Sequence, residues 1–256
     1  MSVVVSVDVE PAALAARADE FEAASASAVI AWAIGRFGAR LTLASSFQNC
    51  VVIDLAVRED PAIEVLFLDT GCHFPETWSF VEEVRSLYNL NLRVERPGPD
   101  AGSWPCGSPR CCELRKVEPL NRALRGRAAW MTGLRRCDTP MRSAAPIVSW
   151  DKTRALVKVN PLANWSDDDV NDYIVDHALP VHPLVAKGYL SIGCARRQVP
   201  SPPGPSGVRD GGPEPRRRSV GCTSGSGGSG RLAASPCGAT CAVLARDSAL
   251  THLTAR

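Results

Sequence analysis

The chain has 256 residues, 45% of them hydrophobic and 22% charged, with a formal net charge of +2. That length suits one large α/β domain, or a domain with a tail. The near-neutral charge gives no reason to expect a nucleic-acid polymer as partner, and no apolar run approaches the roughly 20 residues of a membrane span. Met1 to Glu10 carries Asp8 and Glu10 and no basic cluster, so it does not read as a signal peptide. Ten cysteines without such a leader point to a cytoplasmic protein whose thiols act as ligands or redox groups.

Pro11 to Phe37, rich in Ala, Leu and Ile, predicts two short helices. Arg40 to Ala44 predicts a brief strand ending in Ser45-Ser46-Phe47-Gln48-Asn49, and Cys50 to Arg58 an apolar-faced helix. Strand, small polar loop and helix N-terminus in series is how α/β folds build an anion site, with loop amides and the hydroxyls of Ser45 and Ser46 as donors. A plain serine N-cap reads the same residues as well.

Glu64 to Leu68 is apolar enough for a buried parallel strand and ends in Asp69-Thr70-Gly71. Ligands of open α/β sheets bind beyond the carboxyl ends of strands, which makes Asp69, Thr70 and Gly71 candidate contacts. A helix is expected from Trp78 to Tyr88, a third strand over Leu92-Arg93-Val94, and an irregular loop from Pro97 to Pro109.

Cys111-Cys112-Glu113-Leu114-Arg115-Lys116 then leads into a helical run from Val117 to Leu124. Adjacent Cα atoms sit too close for a relaxed disulfide. Both thiolates can instead serve one multi-iron centre, whose negative charge Arg115 and Lys116 would offset. Ala129 to Gly133 reads as a fourth strand, followed by Leu134-Arg135-Arg136. Guanidinium groups at a strand's carboxyl end suit phosphate or sulfate, and Arg142 is a further candidate. Leu156 to Pro161 predicts a fifth strand, and Ser166-Asp167-Asp168-Asp169 caps a helix reaching His177. His177 and His182 lack metal-site spacing and read as structural. A second cysteine motif opens at Gly193-Cys194.

The stretches ASSFQ (44–48), FLDTGCHFPET (67–77), CCELRKVEPL (111–120), TGLRR (132–136), APIVSWD (145–151), VKVNPLANWSDDDV (157–170) and GYLSIGCA (188–195) occur in this order. Together they resemble the thioredoxin-dependent sulfonucleotide reductases of sulfate assimilation. The resemblance implies a doubly wound, mainly parallel α/β sheet like that of the adenine-nucleotide α-hydrolases. It implies that Ser45, Ser46 and Gln48 meet the phosphosulfate or adenosine, that Asp69, Thr70 and Gly71 line the pocket, and that Arg135, Arg136 and Arg142 serve the anion. Cys111, Cys112 and Cys194 would ligate a 4Fe-4S cluster, with Lys116 between cluster and substrate. The cysteine pair implies the branch that reduces adenosine 5′-phosphosulfate to sulfite and AMP; the alternative is the branch acting on the 3′-phosphorylated nucleotide. A C-terminal Glu-Cys-Gly-Leu-His segment supplies the family's nucleophile, and thioredoxin the electrons.

Three departures stand out. Cys194-Ala195-Arg196-Arg197 replaces Cys-Ala-Pro-Cys, so the expected cluster lacks its fourth ligand. No Glu-Cys-Gly-Leu-His occurs, leaving no catalytic cysteine intact and raising the reading of a non-catalytic nucleotide-binding remnant. The loop from Ala101 to Arg110 is Gly/Pro-rich and carries an extra Cys106.

The domain is therefore expected over 1–195, and 196–256, dominated in 196–240 by Arg, Pro, Gly and Ser, as a disordered tail. The genetic code offers a reason. With Arg218 ending in G, Ser219 to Thr223 can be written AGT-GTG-GGC-TGC-ACN, which from that G reads Glu-Cys-Gly-Leu-His. The same offset turns Arg209 to Pro213 into Gly-Arg-Trp-Ala, another family element. A frameshifted C-terminus is the expectation, and the nucleotide sequence of codons 195 to 224 tests it. A TCN codon at Ser219, or a stop in the shifted frame, rejects it.

Overall fold

Alternation along the strands divides the apolar residues between two faces of one sheet. The computed structural model describes residues 11–189 and 191–195; the expectations for Met1 to Glu10 and for the tail lie outside them. Six strands pair in the order β3-β2-β1-β4-β6-β5: β1 (Leu41–Ser45), β2 (Glu64–Leu68), β3 (Asn91–Glu95), β4 (Ala129–Thr132), β5 (Val148–Asp151) and β6 (Leu156–Val159). All neighbours are parallel except β5 and β6. Val65 and Phe67 of β2, with Ala129 and Met131 of β4, join the larger core. The intervening Leu66 and Trp130 join a smaller cluster on the other face.

The helices are α1 (Pro11–Phe21), α2 (Ala26–Phe37), α3 (Val51–Glu59), α4 (Pro75–Tyr88), α5 (Pro109–Cys112), α6 (Glu118–Ala123) and α7 (Asp167–Asp176). Val29, Ile30 and Ala33 of α2, Ile53 of α3 and Phe80 of α4 lie in the larger core. Leu120 and Ala123 of α6, with the adjoining Leu124, cover Leu66 and Trp130. Glu113–Val117, between α5 and α6, winds as a π-helical turn. Pro119 explains it: a regular helix would bring the proline ring against the carbonyl of Arg115 and leave that carbonyl unbonded.

The expected doubly wound, mainly parallel sheet is present. Helix α4 starts earlier than expected, at Pro75, because proline is preorganised for a first helical turn. The strand that sequence reading missed is β5. Its burial runs buried, half, half, buried, so it lacks the two-residue alternation of a half-buried strand, and it pairs back onto β6 across a four-residue turn. No helix among the described residues is long and apolar enough to cross a membrane.

Strand β1 sits between β2 and β4, so successive connections leave it in opposite directions and their loops part above its carboxyl end. Beneath that region α3 is anchored by one carboxylate. Asp54, 1% exposed, accepts hydrogen bonds from Tyr173 Oη (2.6 Å), Arg58 Nε (2.7 Å) and Tyr88 Oη (2.9 Å). Burial alone would raise its pKa, but the Arg58, Tyr173 and Tyr88 bonds outweigh it and hold the carboxyl below the ordinary range. An aspartate with a depressed folded-state pKa leaves the unfolded chain binding more protons as pH falls. Its contribution is thus complete above the ordinary aspartate pKa and is lost as pH drops through the folded value. Asp54→Ala should cost about 2–4 kcal/mol in urea unfolding near neutrality. The difference from the unsubstituted chain should shrink in acid; a pH-independent difference would contradict the assignment.

Candidate functional site

The carboxyl ends of β1, β2 and β4 open into a cavity of about 220 Å3. Ala44, Leu66, Leu68 and Trp130, on the sheet face that α6 only partly covers, form an apolar wall with Leu120 of α6 itself. The Trp130 ring is held in place: its indole nitrogen donates to Asp151 Oδ2 at 3.2 Å, with Arg154 and Lys158 over the ring at 5.4 and 4.9 Å.

Ser45, Ser46, Gln48 and Thr70 line the same cavity. Ser45 Oγ accepts from Phe47 N at 3.1 Å, and Phe47 itself, fully buried at φ 55, turns the chain so that its neighbours face the opening. Gln48 Oε1 accepts from Ile192 N at 3.5 Å, and Ser191 to Cys194 return along the cavity wall. His73 also lines it. Its Nε2 lies 3.0 Å from the Leu68 carbonyl oxygen, burial pushes its pKa down, and Nδ1 has no partner among the described residues.

Lys116, Arg135 and Arg142 face the cavity with one carboxylate, Asp138, leaving an excess of two positive charges. Asp138 accepts from Arg135 Nε at 3.1 Å and from Arg142 Nη1 at 2.8 Å, which fixes both guanidinium groups. Arg135 also donates to the Ser166 carbonyl (2.9 Å) and to Asp167 (2.8 Å) at the start of α7. Such a space suits a ligand with a flat apolar part and an anionic part.

Three expected contacts do not line the cavity, and each has a local reason. Asp69 closes its own turn, accepting from Gly71 N at 2.8 Å, and pairs with Arg96 at 3.2 Å. Gly71, at φ 66, serves packing: a Cβ there would lie 3.2 Å from Arg115 Nη1. Arg136 is turned away from Arg135 and clamps Glu22 through both carboxylate oxygens, at 2.8 and 2.5 Å. Its adjacency to Arg135 in sequence concealed this: Arg135 is extended, whereas Arg136 opens a short 3₁₀ turn, so the two side chains take different directions. His182 spends its ring nitrogens on Thr77 (3.2 Å) and Leu184 N (3.1 Å), and His177 stacks on Tyr173 at 3.9 Å. Asp138 and Trp130 were missed. Trp130 was legible in strand alternation, whereas nothing local marks Asp138.

Beside the cavity lies a narrow space of about 10 Å3 lined by Cys106, Cys111, Cys112 and Cys194, with Arg115 and Lys116. Lys116 and Cys194 belong to both walls. Arg115 donates to the carbonyls of Thr70 (2.6 Å) and Ala101 (2.9 Å), while its buried Nε has no partner among the described residues. No three His, Cys, Asp or Glu side chains among the described residues are grouped to hold a metal ion. A multi-iron cluster does not require such convergence, because each thiolate meets a different iron. Thiol donors, two cations and an unspent N–H donor therefore fit an iron–sulfur cluster in chemistry.

A doubly wound sheet with a cationic cavity at its switch point defines an α/β anion- or nucleotide-binding protein. The chain belongs to the phosphoadenosine phosphosulfate reductase domain family, which its residues 40–200 match. It is 44% identical over 195 residues to the adenosine 5′-phosphosulfate reductase of Mycobacteroides abscessus, covering 72% of this chain and 81% of that one. Identity to the reductase of the same name from Streptomyces coelicolor is 42% over 193 residues, covering 72% and 82%. The solved phosphoadenylyl-sulfate reductase of Candida auris, in a phosphate complex, superposes with TM-score 0.67 at 27% identity, covering 76% of this chain and 100% of that one. The FMN adenylyltransferase of Candida glabrata shares the fold at 15% identity and TM-score 0.54, over 77% and 70% of the two chains.

Gly71→Ala tests the contact between β2 and the thiol-bearing helix. A side chain at φ 66 costs about 1–2 kcal/mol, and the Cβ also presses on Arg115. Urea unfolding should show at least that loss, and thiol alkylation should reach Cys111 faster; an unchanged midpoint would remove the packing role.

Proposed function

We propose that this chain binds adenosine 5′-phosphosulfate and that its reaction is reductive release of sulfite and AMP, with thioredoxin as the dithiol donor in the cytoplasm. The observation that carries the reading is the shared wall, where Lys116 and Cys194 face both the cationic cavity and the thiol-lined space. The apolar wall around Trp130 and Leu120 takes the adenine. Lys116, Arg135 and Arg142 take the phosphosulfate, supported by the Ser45 and Ser46 hydroxyls and by Gln48 and Thr70. As AMP leaves, charge builds on its phosphate oxygens, and cations fixed beforehand by Asp138 stabilise it without rearranging.

In this reaction a thiolate attacks the sulfur, the sulfur–oxygen bond breaks, and its electron pair leaves on AMP. A donor thiolate then attacks the sulfonated cysteine and releases sulfite; the donor's second thiol closes a disulfide and frees the enzyme thiol. Cys111, Cys112 and Cys194 would hold a 4Fe-4S cluster, which supplies a polarising charge beside Lys116. The family's nucleophile motif is absent from the 256 residues, so the chain as written binds substrate and turns it over poorly. The cysteine pair and the names of the 41–44% identical relatives support the nucleotide without a 3′-phosphate over the 3′-phosphorylated one.

Calorimetry of the full chain with both nucleotides, alongside thioredoxin-coupled sulfite release, tests this. Binding of adenosine 5′-phosphosulfate should weaken by about 1.5–3 kcal/mol in Lys116→Ala and Arg142→Ala. Arg136→Ala should leave affinity unchanged and cost at most about 1 kcal/mol of stability. Absence of binding rejects the function, and sulfite release at enzymatic rates rejects the impairment.

A further inference from the structure

Four thiols, not three, surround the space behind Lys116. The fourth comes from Cys106, in the Gly/Pro-rich loop that precedes α5. It is half-buried and borders the same narrow space as the Cys111-Cys112 pair and Cys194.

We propose that Cys106 supplies the fourth thiolate of the iron–sulfur cluster in this chain, in place of the second cysteine that Cys194-Ala195-Arg196-Arg197 lacks. The inference rests on the cluster reading given above. A 4Fe-4S cluster takes one thiolate per iron, and Cys111, Cys112 and Cys194 leave one iron open. Ser108 ties the loop to the helix that carries the pair: its Oγ accepts from Cys111 N at 3.1 Å and donates to the Pro105 carbonyl at 2.9 Å. Cys106 is thereby held within reach of the pair by the two hydrogen bonds, one accepted and one donated, of the Ser108 hydroxyl. Apart from a short 3₁₀ turn at Pro99–Ser103, residues 97–108 have no helix or strand to hold the site at its present width. With four thiolates holding the cluster, Arg115 Nε, buried and without a partner among the described residues, would be a donor available to its anionic sulfides.

The test is anaerobic reconstitution of the full chain with ferrous iron and sulfide, followed by iron and acid-labile sulfide analysis. The unsubstituted chain should hold about four of each, as the 4Fe-4S formula requires. Cys106→Ser should lose iron or fall to a three-iron spectrum while keeping its AMP affinity, and Cys72→Ser should keep the full cluster. Alkylation of the unsubstituted protein gives a readout that needs no variant. Cys106 should be protected in the loaded protein and labelled after iron chelation, with exposed Cys137 labelled in both. Equal iron and spectra in Cys106→Ser, loss in Cys72→Ser instead, labelling of Cys106 in the loaded protein, or no iron uptake by a chain that binds AMP would each overturn it. Failure to bind AMP or adenosine 5′-phosphosulfate counts against the proposed substrate and is read separately by calorimetry.

Discussion

The guanidinium of Arg115 joins the two halves of the site. One nitrogen donates to the carbonyl of Thr70 at the end of β2, and the other to that of Ala101 in the loop ahead of α5. This pair of bonds holds the helix carrying Cys111 and Cys112 against the sheet, and the next residue, Lys116, consequently faces the cavity. Gly71 allows the approach, since it takes φ 66 and presents no Cβ to the guanidinium. Lys116, with Cys194, thereby joins the thiols to the cationic cavity.

The π-helical turn has a related consequence. Pro119 obstructs regular winding, and the wider turn over Glu113–Val117 absorbs the obstruction. The wider turn thus accommodates the proline without interrupting the helical run from α5 to α6. Cys111 and Arg115, and Cys112 and Lys116, are four residues apart and border the same narrow space, as residues at that spacing on one helical face do.

Charge placement on the opposite wall depends on Asp138. Two arginines facing one cavity would repel each other and sample many rotamers. A carboxylate between Arg135 and Arg142 fixes both and still leaves the lining positive. Preorganised cations of this kind cost no reorganisation when an anion arrives or a phosphate leaves.

The sequence by itself determined the fold class, because apolar strands followed by small polar loops and amphipathic helices admit few arrangements other than a doubly wound sheet. It also determined the region of the site, since ligands of such sheets gather at strand carboxyl ends. Ser45, Ser46, Gln48, Thr70, Lys116, Arg135 and Arg142 were all legible there and line one cavity. Only the tertiary structure separated Arg135 from Arg136, or withdrew Asp69 into an ion pair with Arg96, because the partners that decide it, Glu22 and Arg96, lie far away in the chain. Only the tertiary structure could bring Cys194 to Cys111 or give Cys106 a neighbourhood. Contacts across some eighty residues, and the turn of an irregular loop, are decided by packing rather than by any pattern in the chain.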